Sequence, residues 1–277
     1  MESFDEMLDS FIRLGLAEDV GEGDHTSMAC IRSTRVSKAK LLIKDDGIIS
    51  GVDVAKKIFK EVAAAADFEK LISDGSVVKP GDVAFYVTCP TRALLMAERL
   101  VLNTMQRMSG IATIASLYLQ EIEGLPVKIL DTRKTTPGMR FLEKQAVVHG
   151  GCHNYRAGLY DWIMIKDNHV EACGDIALAI DRVHEYLQKT QKDLSITIEV
   201  RNLVELQKVL DHGGVTRIMM DNFEIPILKE AVAMVNKRFE TEASGGIDLH
   251  NVRAYAETGV DYVSSGALTH SAGTMDM

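Results

Sequence analysis

Apolar and polar positions follow helix and strand periods along the first 90 residues. Ser3 and Glu6 have the spacing of a capping box, and apolar residues follow at helical spacing, which predicts an amphipathic helix over residues 3–17. Shorter β-type runs bounded by turn residues predict strand segments, a helix and a hairpin-like pair of strands, at Lys38–Lys44 with Ile48–Ser50, Val52–Ala65, and Val77–Val78 with Val83–Thr88. We therefore expect an N-terminal α+β domain with a small, mainly antiparallel sheet.

A long helical pattern connects this region to the rest of the chain. Leucine, valine and methionine recur at helical spacing from Thr91 to Gln120. Ser109-Gly110 interrupts the pattern, and we expect the helix to break or kink there.

After Pro126 the pattern changes, because short apolar runs now alternate with amphipathic helical stretches. Alternation of this kind is typical of parallel βαβ units. Six runs predict six strands, at Val127–Leu130, Ile163–Ile165, Ile196–Ile198, Ile218–Met220, Glu242-Ala243 and Tyr262-Val263. We expect an α/β protein in which residues 1–112 form the N-terminal domain and residues 113–277 form an irregular, incomplete β/α barrel. An open doubly wound sheet is the structural alternative.

Polar or glycine-containing groups follow every predicted strand, which favours the barrel. The carboxyl ends of barrel strands form one face, and that face holds the active site in β/α barrels. The groups are Asp131-Thr132-Arg133-Lys134, Lys166-Asp167-Asn168, Glu199, Asp221-Asn222, Ser244-Gly245-Gly246 and Ser264-Ser265-Gly266.

Composition limits the classes of protein to consider. A formal net charge of -9 and a pI near 5.4 argue against broad nucleic-acid binding. No run approaches the roughly 18 apolar residues of a membrane span, and the acidic N-terminus lacks the apolar region of a secretory signal. The four cysteines form no CxxC pair. We expect a cytoplasmic protein with reduced thiols that binds neither membrane nor nucleic acid.

Basic residues are concentrated between Asp131 and His169, which is unusual in an acidic chain. Arginine binds carboxylates bidentately, and lysine acts as a point charge on phosphate. The segment has both kinds, at Arg133, Lys134, Arg140, Lys144, Arg156 and Lys166. We therefore expect substrates that carry both carboxylate and phosphate; a solvated basic helix face is the alternative.

The later strand ends suggest further parts of a site. Glycines at Ser244-Gly245-Gly246 and Ser265-Gly266 let backbone N–H groups approach a phosphate. Glu199 and Asp221 suit Mg²⁺ or a ribose, and the alternative is ion pairing with Lys166 or Lys134. Cys152 has no base near it in sequence except His153, so a nucleophilic role is disfavoured. Gly150 and Gly151 between His149 and His153 argue against a metal pair.

The motifs together resemble quinolinate phosphoribosyltransferase, also called nicotinate-nucleotide pyrophosphorylase (carboxylating). The chain has DTRKTTPG, EKxAV, GGxxNxR and MIKDNH in that order, with AERLVLNTMQRMSGIAT before them and IEV, MMDN, EASGGI and SSGALTHS after them. The resemblance covers nearly the whole chain. It implies condensation of quinolinate with phosphoribosyl pyrophosphate to nicotinate mononucleotide, pyrophosphate and CO₂, with Mg²⁺, in a homodimer or a larger assembly.

The resemblance also implies roles for individual residues. Arg99 reaches the neighbouring subunit's site, Lys134, Lys166, Glu199 and Asp221 are catalytic, and the last two of these also hold the metal. The substrate-binding set implied is Arg99, Thr132, Arg133, Lys134, Tyr155, Arg156, Lys166, Glu199, Asp221, Ser244, Gly245, Gly246, Ser265, Gly266 and His270.

One position departs from the family pattern. The family usually has NHR, and this chain has Asn154-Tyr155-Arg156. A tyrosine still donates one hydrogen bond, but it cannot carry the charge of an imidazolium. Two alternatives therefore stay open: a related phosphoribosyltransferase-fold enzyme that acts on a different aromatic acid, and a non-catalytic homologue that binds phosphosugars. A barrel isomerase acting on another phosphorylated molecule is a third.

Overall fold

The computed structural model describes residues 3–277, which divide into two compact units. The first unit comprises the described chain up to Ser116 with Thr135–Gly151 and Leu268–Met277, and the second comprises Leu117–Lys134 with Cys152–Ala267. The first 90 residues contain α1 (Phe4–Val20), α2 (His25–Cys30), β1 (Val36–Leu42), β2 (Gly47–Ile48), α3 (Val52–Val62), β3 (Asp67–Lys70), β4 (Val77–Val78) and β5 (Val83–Pro90).

The remaining elements follow in chain order and alternate between helix and strand, except that helices α6 and α7 are consecutive. They are α4 (Thr91–Glu121), β6 (Lys128–Leu130), α5 (Arg140–His149), β7 (Ile163–Ile165), α6 (Asp167–Cys173), α7 (Ile176–Thr190), β8 (Ile196–Val200), α8 (Leu203–His212), β9 (Arg217–Asp221), α9 (Ile225–Val235), β10 (Glu240–Ser244), α10 (Val252–Ala256), β11 (Tyr262–Ser264) and α11 (Ala267–His270).

The capping box at the start of the chain is confirmed. The Glu6 N–H donates to Ser3 Oγ at 3.3 Å, and the Ser3 N–H donates to Glu6 Oε2 at 2.7 Å. These bonds satisfy two groups that helix geometry leaves without partners. The helix therefore begins where the sequence predicts, and it continues to Val20.

The small antiparallel sheet is also confirmed, but its pairing differs from the predicted hairpin. β5 pairs with β1 on one side and with β3 on the other, while the two residues of β4 pair with β2. The predicted pairing of Val77–Val78 with the following strand is therefore wrong. The strand β3 was not predicted, because three of its four residues are charged or exposed and show no apolar alternation.

Of the predicted break or kink in the long helix, the break is wrong, since α4 runs without interruption from Thr91 to Glu121, and the kink stays a prediction. Gly110 serves close packing instead. A Cβ atom at Gly110 would lie 2.0 Å from the carbonyl oxygen of Gly273, and the nearby Met275 N–H donates to Gln106 O at 3.1 Å. The missing side chain lets the C-terminal segment lie directly against the helix.

In the second unit, six parallel strands form one sheet in the order β6-β11-β10-β9-β8-β7. The first strand along the chain, β6, pairs with the last, β11, as in a barrel. In the structure of residues 3–277 no ladder joins β6 to β7; β6 makes only a single isolated parallel bridge, from Leu130 to His153 in the segment that precedes β7. We call this gap the seam. The predicted irregular β/α barrel is confirmed, and it is open at the seam.

Helices α7, α8 and α9 cover the outer face of this sheet because their apolar residues recur at helical spacing. The outward-facing Ile198 and Ile218 are fully buried, as are Leu206 and Leu228 on the helices. Burying one such side chain stabilises the fold by about 1.5–3 kcal/mol. The opposite face, which lines the barrel interior, carries polar side chains in adjoining layers.

The packing of α4 generates a stability prediction. Replacing Gly110 by alanine should lower the free energy of unfolding by about 1–3 kcal/mol, because the added methyl group must displace backbone. Asn103→Ala on the exposed side of the same helix is the matched control and should be neutral or slightly stabilising. Urea denaturation of both variants measures the difference. Equal midpoints for Gly110→Ala and the unsubstituted protein would contradict the close contact.

Candidate active site

The parallel strands bring the predicted polar groups of the second unit to one edge. Ser244 lies in register with Asp221, and Ser264 lies in register with Leu130, directly before Asp131. Glu199 pairs with Met219, two residues before Asp221 on the next strand. Because all six strands run in the same direction, these residues meet at the carboxyl face of the barrel.

Lys166 and Glu199 form an ion pair at this face. Lys166 Nζ lies 3.0 Å from Glu199 Oε2, and the side chains are 44% and 8% exposed, respectively. The lysine follows β7, and the glutamate lies near the end of the neighbouring β8. The pairing that we considered as an alternative is therefore present. It places a cation and a carboxylate side by side, with the cation on the accessible side.

Asp221 is held by the residue that follows it. Asn222 Nδ2 donates to Asp221 Oδ2 at 2.6 Å, and the Asn222 N–H donates to the carbonyl of Ser244 at 2.8 Å. Asn222 adopts a φ of 57°, and Gly245 adopts a φ of 98°. A Cβ atom at Gly245 would lie 2.3 Å from Asn222 Oδ1, so the two strand ends interlock only with glycine there.

The two glycine turns are joined through a buried serine. Ser265 Oγ donates to the carbonyl of Ile247 at 2.6 Å, accepts from the Ala267 N–H at 3.3 Å, and lies 3.1 Å from the hydroxyl of Tyr118. This side chain supports the turns that begin at Ser244 and Ser265. Its contact with substrate, like that of Ser244, Gly245, Gly246 and Gly266, stays a prediction.

A basic cavity of about 670 Å³ opens beside Lys166 in the second unit. None of its lining residues in the described chain is acidic. They are Arg133, Arg156, Lys166, His169, Lys192, Tyr160, Trp162, Tyr186, Leu159, Ile163, Met164 and Leu194. We call it the acid cavity, after the anionic ligand that its cations favour and not after its lining residues. Burial lowers the pKa of Arg156, and the positive charge of Arg133 lowers it further. Cations held this close favour an anionic ligand.

Tyr155 does not line the acid cavity, although the next residue does. Its N–H donates to Asp131 Oδ1 at 2.8 Å, and its hydroxyl lies 2.7 Å from Thr197 Oγ1 inside the barrel. Burial raises the pKa of this phenol well above its usual range. A direct contact of Tyr155 with a substrate stays a prediction, and the structure gives its hydroxyl a partner within the protein.

A buried ion pair lies in the barrel interior below the strand ends. Arg217 contacts Glu242 at 3.2 Å and Glu240 at 2.8 Å. Burial raises the pKa of the Glu242 carboxyl, while Arg217 opposes this rise. These residues were not among the predicted site residues: Glu242 lies in the predicted strand Glu242-Ala243, and Arg217 directly precedes the predicted strand Ile218–Met220. The signal was available: Glu240, Glu242 and Ser244 alternate along one face of a strand.

Three further predicted residues occupy defined positions. Thr132 Oγ1 accepts from the Lys134 N–H at 3.1 Å, which forms a tight turn after β6. Arg99 is exposed on α4, and His270 is exposed at the end of α11 with Nδ1 lying 2.7 Å from Ser271 Oγ. Arg99 and His270 belong to the first unit, and the basic residues Arg133 and Lys134 belong to the second.

Glu143 of the first unit is a further residue that was not among the predicted site residues. Its carboxylate is fully buried and contacts Arg107 at 3.0 Å, Thr136 Oγ1 at 2.7 Å and the Thr136 N–H at 3.2 Å. Arg107 also donates to the carbonyls of Thr269 and Ala272 at 2.6 and 2.7 Å. The TTPG part of the basic segment is therefore fixed to α4 and α5.

The structure also describes Cys152, for which the sequence disfavours a nucleophilic role, and His149, for which it disfavours a metal pair with His153. Burial raises the pKa of the Cys152 thiol to about 12, so at neutral pH it is protonated and a poor nucleophile. His149 Nδ1 lies 2.7 Å from Ser50 Oγ. Among residues 3–277, no three His, Cys, Asp or Glu residues form a group that could hold a metal by themselves. No helix in that range is long and apolar enough to span a membrane.

Comparison with known proteins gives matches along nearly the whole chain. Family models of the N-terminal and C-terminal domains of quinolinate phosphoribosyl transferase match residues 24–109 and 111–277. The chain is 42% identical over 285 aligned residues to quinolinate phosphoribosyltransferase [decarboxylating] 1 of Nicotiana glauca, covering 98% of this chain and 81% of that protein. It is 38% identical to a probable nicotinate-nucleotide pyrophosphorylase [carboxylating] of Bacillus subtilis, covering 94% and 88% of the two chains.

Solved structures agree with these matches. NadC from Streptococcus pyogenes superposes with a TM-score of 0.93 at 33% identity, over 100% of this chain and 96% of that one. The nicotinate-nucleotide pyrophosphorylase from Francisella tularensis superposes with a TM-score of 0.92 at 32% identity, over 99% and 96%. The family resemblance and the fold expected from it are confirmed. The chain belongs to the quinolinate phosphoribosyl transferase family.

Proposed function

We propose that this protein transfers the phosphoribosyl group of phosphoribosyl pyrophosphate to quinolinate and releases CO₂ and pyrophosphate, forming nicotinate mononucleotide for NAD biosynthesis. The observation that carries the proposal is the acid cavity. It is lined by two guanidiniums and two lysines with no carboxylate among the lining residues, and it adjoins the Lys166–Glu199 pair at the barrel's carboxyl face. A planar aromatic dicarboxylate fits this chemistry.

Each substrate has a matching part of the site. Arg133 and Arg156 bind the two carboxylates as bidentate donors. The glycine turns after β10 and β11 bind phosphate through backbone N–H groups, together with Ser244 and Ser265. Thr132, Lys134 and His270 contact the phosphoribosyl pyrophosphate. Tyr155 belongs to the part of the site that binds quinolinate.

The reaction follows from charge placed at the ribose. Departure of pyrophosphate leaves positive charge at ribose C1, and the carboxylates Glu199 and Asp221 stabilise it. The pyridine nitrogen of quinolinate attacks that carbon. The ring becomes cationic, so the adjacent carboxylate leaves as CO₂ with its bonding electrons left on the ring carbon, which then takes a proton. Lys134 and Lys166 balance the charges of the phosphates and of the departing group.

Magnesium fits the residues at this face. Glu199 and Asp221 offer oxygen ligands, and the described residues provide no larger cluster of ligands. Two carboxylates are typical of a Mg²⁺ ion that completes its coordination with substrate phosphates and water. When bound, the ion neutralises pyrophosphate charge as the group leaves.

We further propose a homodimer, or a larger assembly built from it, in which sites are shared between subunits. Support comes from Arg99, an exposed cation of the AER motif on α4. The four cysteines are free thiols, which fits a cytoplasmic location. Plant relatives are named chloroplastic or mitochondrial. We expect no membrane or nucleic-acid partner.

The first experiment measures quinolinate-dependent CO₂ release with phosphoribosyl pyrophosphate and Mg²⁺. We expect turnover with quinolinate and none with phthalate, which has the same two carboxylates but no ring nitrogen to attack. Thermal protection by quinolinate without turnover would instead favour a binding protein. Turnover with another aromatic acid and none with quinolinate would favour the related enzyme.

The carboxylates at the strand ends generate a kinetic prediction. Glu199→Ala and Asp221→Ala should each lower kcat by roughly 100-fold or more, because they stabilise charge that grows in the transition state. The KM for quinolinate should change far less. Glu257→Ala, which breaks an exposed pair with Arg253, is the matched control and should leave both constants unchanged. An unchanged kcat with a raised quinolinate KM would contradict the assignment.

Shared sites generate a prediction about mixed dimers. Arg99→Ala alone and Lys134→Ala alone should be nearly inactive, because each removes a cation that the proposed site uses to hold its anionic substrates. A heterodimer of the two variants has one site with both lesions and one with neither. Exchanging subunits should restore activity toward half that of the unsubstituted dimer. If verified exchange restores nothing, Arg99 does not serve the partner's site.

A further inference from the structure

A network of buried and half-buried side chains lies in the barrel interior and reaches the acid cavity through Trp162. We call it the barrel cluster, and its members are Tyr155, Trp162, Thr197, Arg217, Glu242 and Tyr262. Thr197 precedes Glu199 by two residues on β8, and Glu242 precedes Ser244 by two residues on β10. Strand residues two apart share a face and are about 7 Å apart. Thr197 and Glu242 therefore lie one layer below the residues at the carboxyl face.

Arg217 fixes the aromatic side chains of the cluster. Its guanidinium lies 3.7 Å from the ring centre of Tyr262, 5.1 Å from that of Tyr155 and 5.3 Å from that of Trp162. The arginine side chain is 5% exposed and its partner Glu242 is 0% exposed. A buried charge must keep its partners, and each ring face adds attraction to the cation. The positions of the three rings are thus tied to Arg217 and its carboxylate partners Glu242 and Glu240.

The hydroxyl of Thr197 joins two of these rings. It accepts a hydrogen bond from Trp162 Nε1 at 2.8 Å and shares another with the Tyr155 hydroxyl at 2.7 Å. A threonine hydroxyl offers one donor and two acceptor positions, so it serves both partners at once. The rings of Tyr155 and Trp162 also meet edge to face, with centres 5.7 Å apart. Removing the hydroxyl leaves the indole N–H buried without this partner.

Two members of the barrel cluster, Trp162 and Tyr155, connect it to the acid cavity. Trp162 lines the cavity, and Tyr155 immediately precedes Arg156, which also lines it. The Tyr155 N–H is fixed to Asp131, so the backbone that carries Arg156 is held at two points: by this bond and by the Thr197–Tyr155 bond. These residues lie beside the seam, where no β-ladder supports the chain between β6 and β7.

We propose that Tyr155 and Thr197 are positioning residues that hold Trp162 and Arg156 in the arrangement that binds the aromatic acid. The identity of the acid rests on the proposed function. The cluster supplies the rigidity that the seam lacks, so that binding does not have to order the wall of the cavity. Disturbing the cluster therefore weakens acid binding and leaves the chemical step, which depends on the carboxyl face, nearly unchanged.

The chain contains one tryptophan, so its fluorescence reports on this wall alone. Tyr155→Phe removes one hydroxyl, Thr197→Val removes the shared hydroxyl, and Thr197→Ser retains it. Thr241→Val is the matched control, because Thr241 is a buried strand threonine of the same barrel whose hydroxyl bonds to Asp261 and not to the cluster. The measurements are tryptophan anisotropy in the free protein, quenching on titration with quinolinate, steady-state kinetics and thermal unfolding.

We expect Tyr155→Phe and Thr197→Val to lower the anisotropy and to raise the quinolinate Kd and KM roughly tenfold, a factor that corresponds to about 1.4 kcal/mol. The kcat and the KM for phosphoribosyl pyrophosphate should stay within about twofold of the original values. Thr197→Ser should behave like the unsubstituted protein. Thr241→Val should lose thermal stability without either change.

Unchanged anisotropy and unchanged Kd in folded Tyr155→Phe overturn the proposal, as does an equal loss of kcat in every variant including the control. If Thr197→Val does not fold, Tyr155→Phe and Thr197→Ser still decide. Failure of the proposed function is distinguishable, because it shows as a lack of quinolinate turnover in the unsubstituted protein. In that case the anisotropy comparison in the free protein still supports or overturns the positioning of Trp162.

Discussion

Parallel pairing of six strands in fixed register is the constraint on which the candidate site depends. Side chains that are far apart in sequence, such as Lys166, Glu199 and Asp221, come together only because each follows or ends a strand of the same direction. A shift of one residue in any ladder would turn its side chains to the opposite face. The burial of Ile198 and Ile218 on the outer face opposes such a shift. The same apolar packing that stabilises the barrel therefore aligns its reactive groups.

Each of the two units contains its own buried ion pair. In the first, the buried carboxylate of Glu143 joins Arg107 to the backbone of Thr136 and so fixes part of the basic segment to α4 and α5. In the second, the pair of Arg217 and Glu242 occupies the interior of the barrel. Buried pairs of this kind contribute little net stability, since desolvation offsets attraction, but they admit few alternative arrangements.

The sequence predicted what depends on local periodicity and on the identity of strand-end residues. The six barrel strands, the capping box at Ser3 and the Lys166–Glu199 neighbourhood follow from such patterns. What it did not predict depends on contacts between distant segments. The strand β3 has no apolar alternation because it is a half-exposed edge, and Gly110 looks like a helix breaker until Gly273 is placed against it. Similarly, the inward turn of the Tyr155 ring follows from Thr197, a residue 42 positions away.

At the seam between β6 and β7, the residues proposed to select the ligand lie outside the strand ladders that stabilise the barrel. Everywhere else in the described sheet, adjacent strands are joined by ladders, and a substitution that moves the backbone disturbs several hydrogen bonds at once. Across the seam, such a substitution disturbs only the single bridge between Leu130 and His153. The segment after it contains the departure from the family pattern at Tyr155 and the wall residue Trp162. An open barrel of this kind can therefore change which acid it accepts by repacking one irregular segment, while the scaffold that performs the chemistry keeps its register.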